Sequence, residues 1–351
     1  MSETTTFVRA LPKVQLHCHL EGTVRAATFR ELAQRHGVES ARAAGPLEET
    51  YAFANFGEFL LMFAEVCKAL KEPDDYARIA RDYVVDAAEQ HVRYAEVFIS
   101  PSVWSYFHRD LDVVATVRAM RAVLDDEGER RGLDVNLICD LTRNFGVERA
   151  QATAVQAVAL AEAGLGVVGI GLGGDEANYP AGLFEDVYAY ARAHGLHCVA
   201  HAGEADGPQS VRDAIDILRV ERIGHGVRAL EDPALVAELA ERRIPLEICP
   251  TSNRLTGAAA ADSVHPIGAL DAAGVACTLD ADDPALFSTT ISGEYALVAG
   301  WLGEDAVVRF ARNAIEASFA TTQRKAELRS ALGAAASPRR APETSVGRRS
   351  P

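Results

Sequence analysis

Histidines and acidic residues recur at four separated points of the sequence, each at the end of an apolar, strand-like run. His17 and His19 close the first run, and side chains two positions apart on a strand point the same way. The other three points carry His201-Ala-Gly-Glu204, Gly224-His-Gly226 and Asp280-Ala-Asp-Asp-Pro284. Imidazole and carboxylate groups that converge on one point can bind a divalent metal ion. The pattern therefore predicts a metal site.

Zinc is the metal that this set of residues favours, because three histidines and one aspartate leave a coordination position open for water. Bound zinc lowers the pKa of its water to about 7 and provides hydroxide at neutral pH. Glu204 follows His201 closely and could act as a general acid if an enclosed site raised its pKa. His225 could accept the proton of the water or orient the hydroxide. The structural alternatives are a surface salt bridge for Glu204 and a buried histidine for His225.

The positions of the lysines indicate how many metal ions the site can hold. Related barrels often bridge two metal ions with a carboxylated lysine at the end of the fourth strand. Here the fourth strand-like run continues into Gly171-Leu-Gly-Gly-Asp-Glu176, and no lysine lies between Lys71 and Lys325. We therefore expect one metal ion per chain.

Eight short, β-rich runs alternate with helical patterns along the chain, and several of them are continuously apolar, as in strands buried on both faces. This alternation predicts a single (β/α)₈ barrel, in which the carboxyl ends of the strands carry the chemistry. An open, doubly wound sheet is the alternative. The predicted strands are Val14–His17, Val92–Ile99, Val135–Leu141, Val167–Leu172, His197–His201, Arg222–His225, Pro245–Cys249 and Val275–Leu279.

The interval between the first two strands, about residues 23–91, is longer than one crossover helix requires. Its cluster of aromatic residues includes Phe59 and Phe63, and predicts either a helical layer packed on the barrel or a lid with an apolar underside. The barrel domain is expected to cover residues 1–333. The tail 334–351, rich in Ala, Ser, Pro and Arg, is expected to be disordered.

Composition narrows the classes of partner. The 351 residues carry 35 basic and 50 acidic side chains, a formal charge of −15, which disfavours nucleic acid and anionic membranes as partners. No apolar stretch is long enough to span a bilayer, and the polar first residues are not expected to form a signal peptide. The six cysteines are scattered and predict reduced thiols. We expect a cytoplasmic protein with a small-molecule ligand.

Five segments of the sequence together resemble the adenosine deaminase family. Their motifs follow the family's order and spacing from about residue 11 to about residue 318. The resemblance implies a zinc-bearing (β/α)₈ barrel that hydrolyses the 6-amino group of a purine to a keto group and releases ammonia. The segments are Pro12-Lys-Val-Gln-Leu-His-Cys-His-Leu-Glu-Gly22, Gly174-Asp-Glu176, His201-Ala-Gly-Glu204, Gly224-His-Gly226 and Leu279-Asp-Ala-Asp-Asp-Pro284.

The resemblance also implies roles for individual residues. Glu204 corresponds to the acid that protonates purine N1, and His225 to the residue that orients the hydroxide. Asp283 corresponds to the carboxylate at N7, and the Gly174 backbone N–H to the donor at N3. Phe59 and Phe63 fall where the family has an apolar lid helix. The implied zinc ligands are His17, His19, His201 and Asp282, with His19 also a substrate contact.

The family divides by substrate into adenosine, adenine, nucleotide-type and 6-aminodeoxyfutalosine deaminases, the last belonging to menaquinone biosynthesis. Gly173-Gly-Asp-Glu176 resembles the nucleoside-acting branch, whereas adenine deaminases tend to carry serines there. Glu21 replaces an aspartate that is common where the ribose 5′ end lies. Arg25 is either a solvated surface residue or the partner of the benzoate on the 5′ extension of 6-aminodeoxyfutalosine. Adenosine and the extended nucleoside both remain candidates, with a preference for the latter.

Two alternatives from other functional classes remain. One is a purine-binding protein without catalytic activity on the same fold, and the other is a barrel hydrolase acting on another C–N or P–O bond. Stoichiometric purine binding without turnover would favour the first. Activity on lactams or phosphotriesters, with none on purines, would favour the second.

Overall fold

The computed structural model describes residues 3–261 and 263–336. Within these residues eight parallel strands pair in sequence order from β1 to β8. Helices lie between them, so the predicted (β/α)₈ architecture is confirmed. The strands are β1 (Lys13–Gln15), β2 (Val92–Ile99), β3 (Asp134–Thr142), β4 (Val167–Gly173), β5 (His197–Ala202), β6 (Arg222–His225), β7 (Leu246–Ile248) and β8 (Cys277–Leu279).

The barrel is nearly closed where β8 meets β1. Main-chain hydrogen bonds from Asp282 N to His17 O and from His19 N to Asp282 O, both 3.0 Å long, join the segments that follow these two strands. The Asp280 carboxylate accepts from the backbone N–H of Leu16 at 2.7 Å and from that of His17 at 3.0 Å. Closure therefore fixes the backbone of the first and last predicted metal ligands against each other.

Helices surround the barrel, and the interval 23–91 contains four of them, which fits the predicted helical insertion. Residues 334–336 continue the last helix, and the rest of the predicted disordered tail, 337–351, lies outside the described residues. The first eight helices are α1 (Glu3–Ala10), α2 (Ala26–Arg35), α3 (Ala41–Ala44), α4 (Phe56–Ala69), α5 (Pro73–Glu89), α6 (Pro101–Phe107), α7 (Val113–Arg131) and α8 (Gly146–Glu162). The others are α9 (Glu185–Ala193), α10 (Pro208–Asp216), α11 (Pro233–Arg242), α12 (Pro250–Leu255), α13 (Ile267–Ala272), α14 (Ile291–Leu302), α15 (Glu304–Ala317) and α16 (Thr322–Ala336).

Helix α4 is the part of the insertion that reaches the site. Asn55 precedes it, and its side chain accepts a hydrogen bond from the backbone N–H of Glu58, which caps the exposed donors of the first turn. Phe59 stacks on Phe287 with ring centroids 4.8 Å apart, and Phe287 follows β8. This contact holds the helix over the carboxyl ends of the strands.

All six cysteines are buried and unpaired, as the sequence predicts. None of the helices in the described part of the chain combines the length and the apolar character that a membrane crossing requires.

Candidate active site

The predicted metal ligands meet at the carboxyl end of the barrel. One ligand atom from each of the four side chains lies within 4.8 Å of all the others, and all four residues are buried. Asp282 Oδ1 lies 3.4 Å from His17 Nε2 and 3.5 Å from His19 Nε2. His19 Nε2 and His201 Nε2 are 3.2 Å apart. Three strand ends thus bring three imidazole nitrogens and one carboxylate oxygen to a single point.

The donor set fits a zinc ion. His17 Nε2 is buried and has no hydrogen-bond partner among the described residues, as expected for a nitrogen that binds a metal ion. A second group that could hold a metal ion, His225, Cys249 and Asp282, includes a thiol. This group offers three ligand atoms, whereas the histidine–aspartate set offers four, and burial raises the pKa of the Cys249 thiol well above its ordinary value. The histidine–aspartate set is the better site.

Two ligands are oriented by neighbours that the sequence analysis missed. The Nδ1–H of His17 donates to Glu247 Oε2 at 2.8 Å, which leaves Nε2 as the nitrogen that faces the cluster. Ser252 Oγ donates to Asp282 Oδ2 at 2.6 Å, so Asp282 Oδ1 remains available to a metal ion. Glu247 is on β7 and Ser252 on α12, and no motif spacing links either residue to the ligands.

Local backbone strain positions two of the functional side chains. His225 has φ of 62° and Asp282 has φ of 59°, a left-handed conformation that non-glycine residues seldom adopt. Such strain persists only where the surrounding structure imposes it, and it is frequent in active sites. Here His225 ends β6 and Asp282 follows β8 after two intervening residues, and both side chains turn towards the cluster.

Glu204 and His225 lie together beside the predicted ligands. His225 Nε2 is 3.5 Å from Glu204 Oε2, and both side chains are buried. The Asn253 amide donates to His225 Nδ1 at 2.9 Å, which places the proton of a neutral ring on Nε2. Burial, followed by the charges of Asp282 and Glu176, raises the pKa of Glu204 well above its ordinary value. Glu204 can therefore carry a proton at neutral pH, as a general acid must.

Glu176 fixes the loop that carries Glu204. Its carboxylate accepts hydrogen bonds from four consecutive backbone N–H groups, those of residues 203–206, over distances from 2.6 to 3.1 Å. Glu176 closes the Gly174-Asp-Glu176 segment on which part of the resemblance rests, but the sequence analysis gave it no role. The structure indicates that it positions Glu204.

A cavity of about 560 Å³ opens above the cluster. Helix α4 forms one wall with Phe56, Phe59, Leu60 and Phe63, so the predicted lid segment does lie on the site. Tyr106, Phe107 and Phe145 line the cavity from the α6 and α8 side. Its other lining residues include polar groups from the strand ends: His19, Ser100, Asp140, Thr142, Asn144, Gly174, His201, Glu204, His225, Asp282 and Asp283.

Three of the predicted substrate contacts line this cavity: His19, Gly174 and Asp283. Burial and the neighbouring charge of Asp282 raise the pKa of Asp283 well above its ordinary value, so its carboxyl group can donate a hydrogen bond. Gly22 makes room for that carboxyl group, because a methyl group on Gly22 would lie 1.9 Å from Asp283 Oδ1. Gly174 adopts φ of 97°, a conformation that favours glycine.

Glu21 and Arg25, the other two predicted substrate contacts, do not line the cavity. Glu21 is buried behind it, where its Oε1 accepts from the backbone N–H of Ser100 at 2.9 Å and from the Trp104 indole at 2.6 Å. Arg25 donates to Asp86 at 2.5 Å, its side chain is 53% exposed, and it borders a separate cavity of about 440 Å³. The surface alternative describes Arg25 better, because α2 begins at residue 26 and turns the side chain away from the cluster.

Comparison with known proteins agrees with this geometry. An aminodeoxyfutalosine deaminase from Streptomyces coelicolor is 38% identical over 326 residues, which cover 92% of this chain and 84% of the relative. An adenine deaminase from the same organism is 36% identical over 312 residues, which cover 88% of this chain and 90% of the relative. The crystal structure of an amidohydrolase from Burkholderia ambifaria with bound zinc matches with a TM-score of 0.86 and 30% identity. The match covers 95% of this chain and 93% of that protein.

Fold and site together define a barrel hydrolase of the amidohydrolase type. The family model described as adenosine deaminase matches residues 12–335, and the chain belongs to the adenosine deaminase family. It is a deaminase, an enzyme that hydrolyses a C–N bond.

Proposed function

We propose that this enzyme is a zinc-dependent hydrolase that removes the 6-amino group of a purine nucleoside with an extended 5′ end, of the aminodeoxyfutalosine type. One observation carries the proposal: a single cavity is lined by three members of the histidine–aspartate cluster, by Glu204, and by the aromatic side chains of Tyr106, Phe107 and Phe145, which we call its aromatic end. Its volume of about 560 Å³ lies within the range of roughly 300–1,000 Å³ in which drug-sized ligands bind.

The residues of the cavity divide the reaction between them. A zinc ion held by the four ligands would supply a water molecule with a pKa lowered to about 7. Glu204 gives its proton to purine N1, which makes C6 electrophilic, and protonated Asp283 donates to N7. The Nε2–H of His225 holds the attacking oxygen in line with C6. Asp282 Oδ2, 3.9 Å from His225 Nε2, can pass one proton of the attacking water to the leaving amino group, which departs as ammonia when the C6–N bond breaks. The second proton of the water returns to Glu204 as the 6-keto group forms.

The aromatic end of the cavity suits the 5′ extension. Tyr106 and Phe145 stack with centroids 4.9 Å apart and an angle of 18°, and Tyr106 is 54% exposed. The guanidinium of Arg149 lies 5.5 Å from the centre of the Phe145 ring. An exposed aromatic surface beside a cation favours a ligand with an aromatic ring and a negative charge, such as a benzoate.

Free adenine is the second candidate. The adenine deaminase from Streptomyces coelicolor is nearly as similar to this chain as the aminodeoxyfutalosine deaminase. Both substrates present the same N1, C6 and N7 atoms to the cluster. They differ at N9, so groups beyond the base decide between them.

The test is a comparison of kcat/KM for 6-aminodeoxyfutalosine, adenosine, 5′-methylthioadenosine and adenine, followed by the spectral change from adenine to hypoxanthine. We expect the extended nucleoside to have the highest value. A higher value for adenine would replace it with the second candidate. If none of the four substrates is deaminated, the proposal is refuted.

The assigned acid is tested separately. Glu204→Gln cannot protonate N1 and should lower kcat by a factor of about 10²–10⁴. Glu231→Gln, a change to an exposed glutamate that pairs with Arg228, should leave kcat unchanged. Chelation of the metal should abolish activity in both variants, and zinc should restore each to its earlier level. Undiminished activity of Glu204→Gln would contradict its assignment as the acid.

A further inference from the structure

Asp140 is a buried acidic residue of the cavity that has no role in the chemistry described above. It lies near the end of β3, is 6% exposed and lines the same cavity as Glu204 and His225. Its buried Oδ1 has no hydrogen-bond partner, and no hydrogen bond to either carboxyl oxygen is found among the described residues. It also does not belong to the histidine–aspartate cluster.

The neighbouring strand leaves space for this carboxyl group. On β4, a methyl group at Gly171 would lie 2.6 Å from Asp140 Oδ1, and one at Gly173 would lie 2.5 Å from Oδ2. Any larger residue at either position would displace the side chain. The two glycines, which share one face of β4 by their spacing, therefore form a recess that the Asp140 carboxyl group fills.

A carboxyl group that is removed from water and left without a partner destabilises the folded protein. Asp140 contacts the cavity, so a bound substrate can supply the missing partner. Burial raises the pKa of Asp140 to about 8. At least one of its oxygens accepts a hydrogen bond in either protonation state. The group that completes this site is therefore a hydrogen-bond donor.

We propose that Asp140 determines substrate specificity by accepting a hydrogen bond from an N–H or O–H group next to the N3 edge of the bound purine. The position rests on the proposed function, in which the Gly174 N–H meets N3. Asp140 packs against Gly173, which directly precedes Gly174. On a purine, N9 and its substituent adjoin N3. The donor is either the N9–H of a free base or the 2′-hydroxyl of a nucleoside.

Two pairs of substrates distinguish these donors. Adenine and 9-methyladenine differ in N9–H, and adenosine and 2′-deoxyadenosine differ in the 2′-hydroxyl. Each pair is measured with the wild type, with Asp140→Leu, which removes the acceptor at similar size, and with Asp140→Asn, which keeps an oxygen acceptor. Zinc content and thermal unfolding are recorded for each variant. If Asp140→Leu does not fold, Asp140→Ala takes its place.

We expect Asp140→Leu to raise KM at least tenfold for the member of one pair that carries the donor, with kcat little changed. The member that lacks the donor should be unaffected, and Asp140→Asn should stay within about threefold of the wild type. An effect in the adenine pair identifies N9–H, and one in the adenosine pair identifies the hydroxyl. The inference would be overturned if Asp140→Leu affected the two members of each pair equally, or if it affected none of the four substrates. If the wild type deaminates these substrates, the proposed function holds even when the inference about Asp140 fails, so the two failures can be distinguished.

Discussion

At the scale of single residues, the site depends on groups that orient the ligands as much as on the ligands themselves. Glu247 is the clearest example, because it accepts from His17 Nδ1 and is itself held by Arg222 at 2.5 Å. Losing such a partner typically weakens metal binding by about 10–100-fold. We expect this loss for Glu247→Gln, measured as zinc affinity by competition with a chelator. Glu221→Gln is the matched control, because Glu221 accepts from His197 Nδ1 outside the site.

The same dependence explains which residues the sequence reveals. The ligands and Glu204 stand at strand ends in short motifs, so residue type and spacing predict them. Glu247 and Asn253 act through hydrogen bonds to His17 and His225, which are distant in the sequence, and Asp140 makes no hydrogen bond among the described residues that would mark it. Arg25 shows the converse: it follows Glu21 closely in the sequence, but α2 directs its side chain to Asp86, as the surface alternative expects. Proximity along the chain does not give the direction of a side chain.

At the scale of elements, the aromatic end of the cavity is formed where α6 and the start of α8 meet. Tyr106→Ala removes the exposed ring that stacks on Phe145. Stacking of one aromatic group contributes about 1–3 kcal/mol to binding of a nucleobase, and a benzoate should behave similarly. We therefore expect kcat/KM for 6-aminodeoxyfutalosine to fall about tenfold, with adenine changed less than twofold. Tyr190→Ala, which removes a tyrosine of α9 whose ring lies against that of His194, should affect neither substrate. Equal losses for both substrates would exclude a role in binding the extension.

The elements themselves were largely predictable. The strands are almost entirely buried, and the predicted bounds of β2 and β6 coincide with the observed ones. The first, seventh and eighth strands are shorter than predicted. The first ends at Gln15 rather than His17, because the chain leaves regular pairing there and turns His17 into the site. The left-handed conformations of His225 and Asp282 belong to the same irregularity, and no residue propensity signals them.

At the scale of the whole molecule, one buried arginine links the barrel wall to the site. Arg222 on β6 pairs with Glu96 on β2 at 2.7 Å and with Glu247 on β7 at 2.5 Å, all three side chains being almost fully buried. It also donates to the carbonyl of Ala317 and lies 3.9 Å from the centre of the Phe319 ring. Arg222 thus connects opposite strands and the end of α15 to the residue that orients His17.

This position predicts a large effect on stability. Arg222→Met leaves two carboxylates buried without their cation, and removal of one partner of a buried ion pair typically costs about 3–5 kcal/mol. Arg309→Met breaks an exposed pair with Asp271 and should cost no more than about 1 kcal/mol. Urea unfolding with excess chelator gives both values free of metal binding. Adding Glu96→Gln to Arg222→Met should recover part of the loss, because one unpaired charge is then removed. Equal destabilisation by Arg222→Met and Arg309→Met would show that the buried cluster contributes no more than a surface pair.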